Sequence, residues 1–203
     1  MSRNAVRRAR GVDARVRRTR ESLGDALMQL MRERPFREIR VKDVLDRAGV
    51  GRSTFYAHYR NKDDLFFTDV EEFFHDVATR LRREGDTSGR VAPVRELFDH
   101  VAEWHDFYDA LVASGKLHDV LDIGRGCMAR GIEERLGELS PGTVLASPRR
   151  AALAAALAAA MLSLMRWWID HGMRGSATEM DELFHRLVRA GAGVRPARDA
   201  PQD

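Results

Sequence analysis

A single cysteine, Cys127, in 203 residues leaves no internal disulfide framework and suits a reducing compartment. Long apolar runs are also missing. The longest, from Ala151 to Met165, has fifteen residues, mostly alanine, too short and too weakly apolar to span a bilayer. The arginine-rich N-terminus has no apolar segment behind it, so no secretory signal is expected. No stretch reads as a strand, and no repeat or low-complexity region stands out beyond the alanine stretch. A Gly-rich phosphate loop, an HExxH pair and a G-x-S-x-G turn are all absent, which removes three common signatures of catalysis. His105 with Asp109 and His118 with Asp122 stand four residues apart, as metal ligands or as hydrogen-bonded pairs, and no third ligand accompanies either. No metal, no cofactor and no membrane partner is expected, and the chain reads as soluble and cytoplasmic.

Acids are scarce at one end. Residues 1–62 carry fifteen arginines and two lysines against seven acids, a balance of +10, while the rest carries seventeen bases and twenty-four acids, −7. The net +3 hides this polarity. A charged face that meets only water is one reading; a polyanion partner for the N-terminal third alone is the other.

Hydrophobic residues make up 44% of the chain, enough for a core, and their spacing is helical throughout. Residues 1–16 lack that period and read as a basic disordered arm, which meets a polyanion or does nothing ordered. Leu23, Ala26, Leu27, Leu30 and Met31 then form one stripe, ended by Pro35. Val41, Val44, Leu45 and Ala48 give a short second helix, with Gly49 at the position that turns left-handed. A third helix is expected from Arg52 to Tyr59, held inward by Phe55 and Tyr59. Asn61 caps a long fourth helix, with Asp63 and Asp64 in its first turn. The turn-rich Glu84–Pro93 leads to a fifth helix expected to run unbroken from Val94 past Tyr108. Residues 117–139 look helical but contain Gly124, Gly126 and Gly131, so a broken or bent helix is expected. After the loop at 140–143, Ser147 and Pro148 open the alanine-rich helix, and Gly172 stops it. A capping box, Ser176 to Glu179, opens a last helix bearing Met180, Leu183, Phe184, Leu187 and Val188. The tail from Gly191 is expected to be disordered.

Helix, glycine turn, helix over 41–59 is the spacing of a helix-turn-helix, although any helical hairpin shares it. The outward residues narrow the reading. With Phe55 and Tyr59 inside, Arg52, Ser53, Tyr56 and Ala57 face out, flanked by Thr54 and His58. These are donors, acceptors and a small apolar contact suited to base edges and phosphates. A packed core pair is the competing reading of Tyr56 and His58.

The stretch "FREIRVKDVLDRAGVGRSTFYAHYRNKDDLF" resembles the DNA-binding domain of the tetracycline-repressor (TetR) family of bacterial regulators, from about Thr19 to Phe67. The Ala-Gly-Val turn, the Thr-Phe-Tyr triplet, the His-Tyr pair and Asn-Lys-x-x-Leu occur together at the family's spacing. The segment from Leu164 to Val188 also looks like the family's last two helices. The resemblance implies base or phosphate contacts for Arg52, Ser53 and Thr54, and a base contact for Ala57. It implies phosphate contacts for Tyr56, His58 and Lys62, with Arg40 and Lys42 at the start of the second helix. Two positions depart from the family: Arg40 stands where a capping Ser or Thr is usual, and Gly51 replaces a common Ser.

The resemblance further implies an all-α architecture: an N-terminal three-helix DNA-binding domain at 17–64 and a C-terminal helical bundle at 65–190. That bundle would bind a small-molecule effector and dimerise. The alanine-rich and final helices would build the interface, unless the former is buried within one monomer. Trp104, Tyr108, Met128, Met161, Met165 and Trp168 line a pocket or are plain core. The function so implied is a homodimeric repressor released from a palindromic operator by an effector. A constitutive DNA-binding protein and a small helical enzyme are the alternatives.

Overall fold

The computed structural model describes the backbone of residues 3–139 and 147–193, and the side chains of 15–105, 108–139 and 148–190. The loop at 140–143 and the tail beyond Gly193 lie outside the described residues, as do Met1 and Ser2. All described regular elements are helical: α1 (Arg3–Glu33), a 3-10 turn (Phe36–Glu38), α2 (Val41–Ala48), α3 (Arg52–Tyr56) and α4 (Lys62–Arg83). After these come α5 (Val94–Glu103), α6 (His105–Ser114), α7 (Leu117–Leu139), α8 (Ser147–Asp170) and α9 (Ala177–Gly193). They form two compact units that do not follow chain order. One holds residues up to Phe74 together with Trp104–Gly124; the other holds His75–Glu103 and the chain from Arg125 onward.

In the first unit the α1 stripe is fully used. Leu23, Ala26, Leu27, Leu30 and Met31 are each at most 3% exposed. At about 1.5–3 kcal/mol for a buried large aliphatic side chain, this face supplies much of the unit's stability. α1 packs on α2 and α6. Arg47 on α2 grips Glu33 of α1 with two bonds of 2.8 and 2.9 Å, and Arg34 reaches Asp43 at 2.8 Å. α1 itself begins at Arg3, so the expected disordered arm is, from Arg3 onward, helical backbone continuous with the DNA-binding unit. Arginine and alanine are good helix formers, and extending a helix already nucleated by the packed residues 23–31 costs less than starting one.

Two other expectations change. The fifth helix is interrupted at Trp104, whose backbone leaves the helical region (φ −114°, ψ 30°), so α5 and α6 belong to different units. By contrast α7 is unbroken through all its glycines. Those glycines admit neighbours instead of bending the helix. A Cβ on Gly124 would lie 2.6 Å from the Phe74 ring, and one on Gly131 would lie 2.7 Å from the carbonyl oxygen of Ala78. Gly126 has open space apart from Arg130 at 3.7 Å. Gly131→Ala should therefore destabilise by about 1–3 kcal/mol through overpacking against backbone, more than alanine's helix preference of about 1 kcal/mol returns. Gly126→Ala should stabilise by about that amount. Paired denaturant titrations check the contrast; equal shifts of one sign would refute it.

The second unit packs α5 on α9. Val94, Leu97, Phe98 and Val101 are wholly buried, and the Phe98 ring lies 5.0 Å from that of Trp168. The α9 capping box forms: the Glu179 N–H donates to Ser176 Oγ and the Ser176 N–H to Glu179 Oε2. The strap before α5 is tied down by charge. Arg90 bridges Glu96 and Asp181, and the Val91 N–H donates to the buried His185 Nε2 at 3.2 Å. The His185 bond and the Arg90 bridge hold Asp181 down to about pKa 2 despite partial burial.

Candidate nucleic-acid interface

The DNA-facing reading of α3 depends on what fixes it from behind. Gly49 adopts φ 64°, the left-handed turn that glycine enters without a Cβ clash, and its N–H closes α2 on Leu45. Phe55 is 0% exposed and Tyr59 3%. The Tyr59 hydroxyl accepts a bond from Arg20 Nε at 3.1 Å, and the same guanidinium pairs with Glu72. α1, the end of the helix-turn-helix and α4 are thereby tied at one point.

α3 is shorter than its pattern suggests. The regular helix ends at Tyr56, and His58 and Tyr59 are carried by turn bonds from their N–H groups to the Phe55 carbonyl. The side-chain directions hold all the same. Arg52, Ser53, Thr54, Tyr56 and Ala57 are exposed, and His58 is half-buried. Tyr56 is 48% exposed, with its ring edge against Phe55 and the Arg52 guanidinium 5.6 Å above its face. Tyr56 is no core residue: about half of it is open to solvent, and its ring meets Phe55 edge to face. Arg40 and Lys42 are exposed at the start of α2.

Both departures from the family pattern have visible consequences. The Arg40 side chain caps nothing, because a guanidinium has no acceptor. Asp43 compensates from the other side, its carboxylate accepting the Arg40 N–H at 2.8 Å. This bond holds the Asp43 carboxyl below its usual range. Gly51 caps α3 in an extended conformation (φ −70°, ψ 149°) with no side-chain bond. Thr54 Oγ1, 3.9 Å from where a Gly51 Cβ would sit, is the nearest hydroxyl to the missing one.

Lys62 is placed differently from an outstretched phosphate ligand. Its ammonium donates to the carbonyls of Phe36 at 2.5 Å and Ile39 at 2.7 Å, and lies 4.3 Å from the Phe36 ring centroid. Burial lowers its pKa. An ammonium has three hydrogens, so one remains after both carbonyls are served. Nothing in the sequence marked this clamp, since both acceptors are backbone. The cap at Asn61 is as expected, its Oδ1 accepting the Asp64 N–H at 2.8 Å.

The six candidate effector residues divide between the two units. Trp104 and Tyr108 belong to the first unit, and Met128, Met161, Met165 and Trp168 to the second. Five of them are at most 4% exposed; Trp104 is half-buried, with Arg32 stacked 4.3 Å from its ring. The Trp168 indole N–H donates to the carbonyls of Arg174 and Gly175. A crevice in the second unit, lined by Ala78, Leu81, Val91, Pro93 and Gly131 with Arg82, Glu134, Arg135 and Glu138, includes none of the six. His118 and Asp122 approach to 3.4 Å in the open. Among the described residues no three metal-ligating side chains converge.

A braced helix-turn-helix with a polar, solvent-facing second helix defines a DNA-binding protein of the regulator class. The comparisons agree. Residues 23–68 match the family model of bacterial regulatory proteins of the tetR family, and residues 93–190 match a transcriptional regulator C-terminal region. The chain belongs to the tetR family, whose members are DNA-binding transcriptional regulators rather than enzymes. The helix-turn-helix-type regulator YxbF of Bacillus subtilis (strain 168) is 32% identical over 71 residues, a match covering 34% of this chain and 19% of that protein. Two solved structures share the fold. A TetR transcriptional regulator from Streptococcus agalactiae 2603V is 24% identical, with 89% of this chain and 98% of that one covered at a TM-score of 0.60. The dihydroxyacetone kinase operon activator DhaS is 18% identical, with 86% and 94% covered, also at 0.60.

By length and composition α8 is long and apolar enough to cross a membrane over Pro148–Asp170, a test that a core helix of a bundle also passes. Its buried residues, Ala154, Ala158, Met161, Leu162, Met165 and Trp168, follow one helical stripe, the pattern of a bundle helix with one covered face.

Proposed function

We propose that this chain is a cytoplasmic, homodimeric repressor that binds a palindromic operator and is released by a small-molecule effector. The observation carrying the DNA-binding part is the division of α3 and the turn after it: Phe55 and Tyr59 are buried, with Arg52, Ser53, Thr54, Tyr56 and Ala57 left exposed. Arg52, Ser53, Thr54 and Ala57 read bases or adjoining phosphates, and Tyr56 and His58 bind the backbone. Arg40 and Lys42 add phosphate contacts at the start of α2. Lys62 offers its remaining hydrogen to a phosphate while holding the turn before α2.

Dimerisation is supported by apolar surface left open on the last two helices: Leu153 and Trp167 on α8, with Leu187 on α9 at 64% exposure. Alanines between the first two allow a partner helix to approach closely. A two-fold dimer would set its recognition helices about 34–36 Å apart, one helical turn of DNA. The effector then acts as a population shift, favouring a state in which that spacing is lost.

A constitutive regulator without effector is the second reading, favoured by the burial of Tyr108, Met128, Met161, Met165 and Trp168. Selection of bound duplex from a random pool tests the central claim. A palindrome supports dimeric, sequence-specific binding, and an unselected pool refutes it. A reporter under the selected site separates repression from the activation that DhaS is named for. Within the selected site, Arg52→Ala should cost about 1–3 kcal/mol and relax base preference at one position in each half, measured by repeating the selection. An unchanged preference would remove Arg52 from the reading set.

A further inference from the structure

Only three lysines stand among the thirty-four basic residues of this arginine-rich chain, and two of them meet at one aromatic ring. Lys62 Nζ lies 4.3 Å and Lys116 Nζ 5.3 Å from the centroid of Phe36. Lys116 follows Gly115, the left-handed residue (φ 72°) that ends α6, and precedes α7. Its ammonium lies 5.0 Å from the Phe67 ring centroid and 2.8 Å from the Asp63 carboxylate. Asp63 is the residue after Lys62 in the first turn of α4. Lys116 lies within the segment that matches the C-terminal regulator region, outside the matched DNA-binding segment. The structure nevertheless places it in the compact unit that contains the helix-turn-helix.

We propose that Lys116 is a positioning residue for DNA binding: paired with Asp63, it keeps Lys62 on the Phe36 and Ile39 carbonyls and so fixes the turn that aims α2 and α3. The inference rests on the DNA-binding reading above. Two local conflicts explain how the pair acts. Asp63 adjoins Lys62 in the chain, and a carboxylate without Lys116 becomes the nearest strong acceptor for the Lys62 ammonium. If Lys62 turns to it, the Ile39 carbonyl loses its ammonium donor, the Phe36 carbonyl keeps only the Ile39 N–H, and the entry to α2 loosens. Conversely, Lys116 without Asp63 is a second uncompensated cation at the same ring and repels Lys62 from its seat. Asp63 and Asp43 are the acids that favour the Lys62 charge, while Lys116 opposes it. Removing either member of the pair thus disturbs the same clamp.

That symmetry makes the test decisive. Long-range charge alone predicts opposite effects on DNA affinity, since Lys116→Met removes a cation and Asp63→Asn removes an anion. Positioning predicts losses in both. Full-length protein is titrated, by fluorescence anisotropy, against the duplex it selects from a random pool and against an unrelated duplex. Lys116→Met keeps the stem on the two rings, and Asp63→Asn keeps the shape of the first turn. Each is expected to weaken binding to the selected duplex about five- to tenfold, in the range of ordinary coupling between sites. The double variant should be no weaker than the worse single one, and binding to the unrelated duplex should change much less. Without DNA, hydrogen exchange of the Phe36–Val41 backbone should speed up in both variants, which reads the clamp directly even if one variant is less stable overall. Tighter binding by Asp63→Asn, additive losses, or unchanged exchange and affinity would overturn the proposal. If the wild-type protein selects no duplex, the DNA-binding reading fails, and this inference fails with it. If it selects one and the variants match it, only the inference fails.

Discussion

Phe55→Ala is expected to abolish operator binding although the ring never faces DNA. Phe55 is 0% exposed, with Tyr56 at 5.2 Å and Tyr59 at 5.7 Å between ring centroids. Truncating a buried phenylalanine to alanine costs about 3–5 kcal/mol, as lost transfer energy plus the cavity left behind. α3 is a regular helix only from Arg52 to Tyr56, and one turn of helix has no independent stability. Its geometry is therefore borrowed from Phe55 and Tyr59. With the ring gone, Tyr56 loses the edge it leans on, and Arg52 loses the aromatic face beneath it. Hydrogen exchange should rise across α2 and α3 well before the α5 and α9 amides respond, because those helices pack in the other unit. Phe55→Leu, which fills most of the space, should retain part of the affinity. Wild-type affinity in Phe55→Ala would mean that α3 is held by something other than its own core face.

What was legible in the sequence is the part governed by local rules. Helical period, a left-handed glycine at Gly49 and the Asn61 cap are decided within a few residues, and the structure has all three. The two faces of α3 follow from where Phe55 and Tyr59 fall. The features that sequence reasoning missed depend on what approaches from far along the chain. Gly124 and Gly131 read as helix breakers because their neighbours, Phe74 and Ala78, are some fifty residues away. Trp104 continues an apolar period, yet its backbone leaves the helical region there, and no local signal in the sequence marks the break. The resemblance gives Lys62 a phosphate but not its clamp on Phe36 and Ile39, since backbone carbonyls leave no mark in a sequence. The methionines and tryptophans proposed for a pocket met the same limit: a bulky apolar side chain looks identical whether it lines a cavity or fills one.

Asp69→Asn should stabilise the protein at pH 8 and leave it nearly unchanged at pH 4. Asp69 falls between Leu65, Phe66 and Phe73 in spacing, on the inward side of α4, where a charge does not belong. Its carboxylate occupies the space a Cβ on Gly24 would need, so α1 and α4 meet there around an acid. Burial raises its pKa to about 7 from an ordinary 3.8; Glu72 and Asp25 push the same way, and Arg20 only partly opposes them. Arg20 is already committed to Tyr59 and Glu72. The sign follows from the direction. The folded state holds the proton more tightly than the unfolded chain, so no penalty exists below the unfolded value near 3.8. Stability then falls as pH rises through the window up to about 7, and the penalty is complete above it. Each pH unit across that window is worth about 1.4 kcal/mol, so with partial burial taken into account the full penalty is on the order of 2–4 kcal/mol. An asparagine carries no charge to desolvate, so the variant should lose the slope between pH 4 and 7 rather than move the whole curve. Denaturant midpoints at four or five pH values decide it. Parallel curves for the two proteins would show that Asp69 does not titrate in this window. A variant less stable at pH 8 would show that the carboxylate's attraction to Arg20 outweighs its burial.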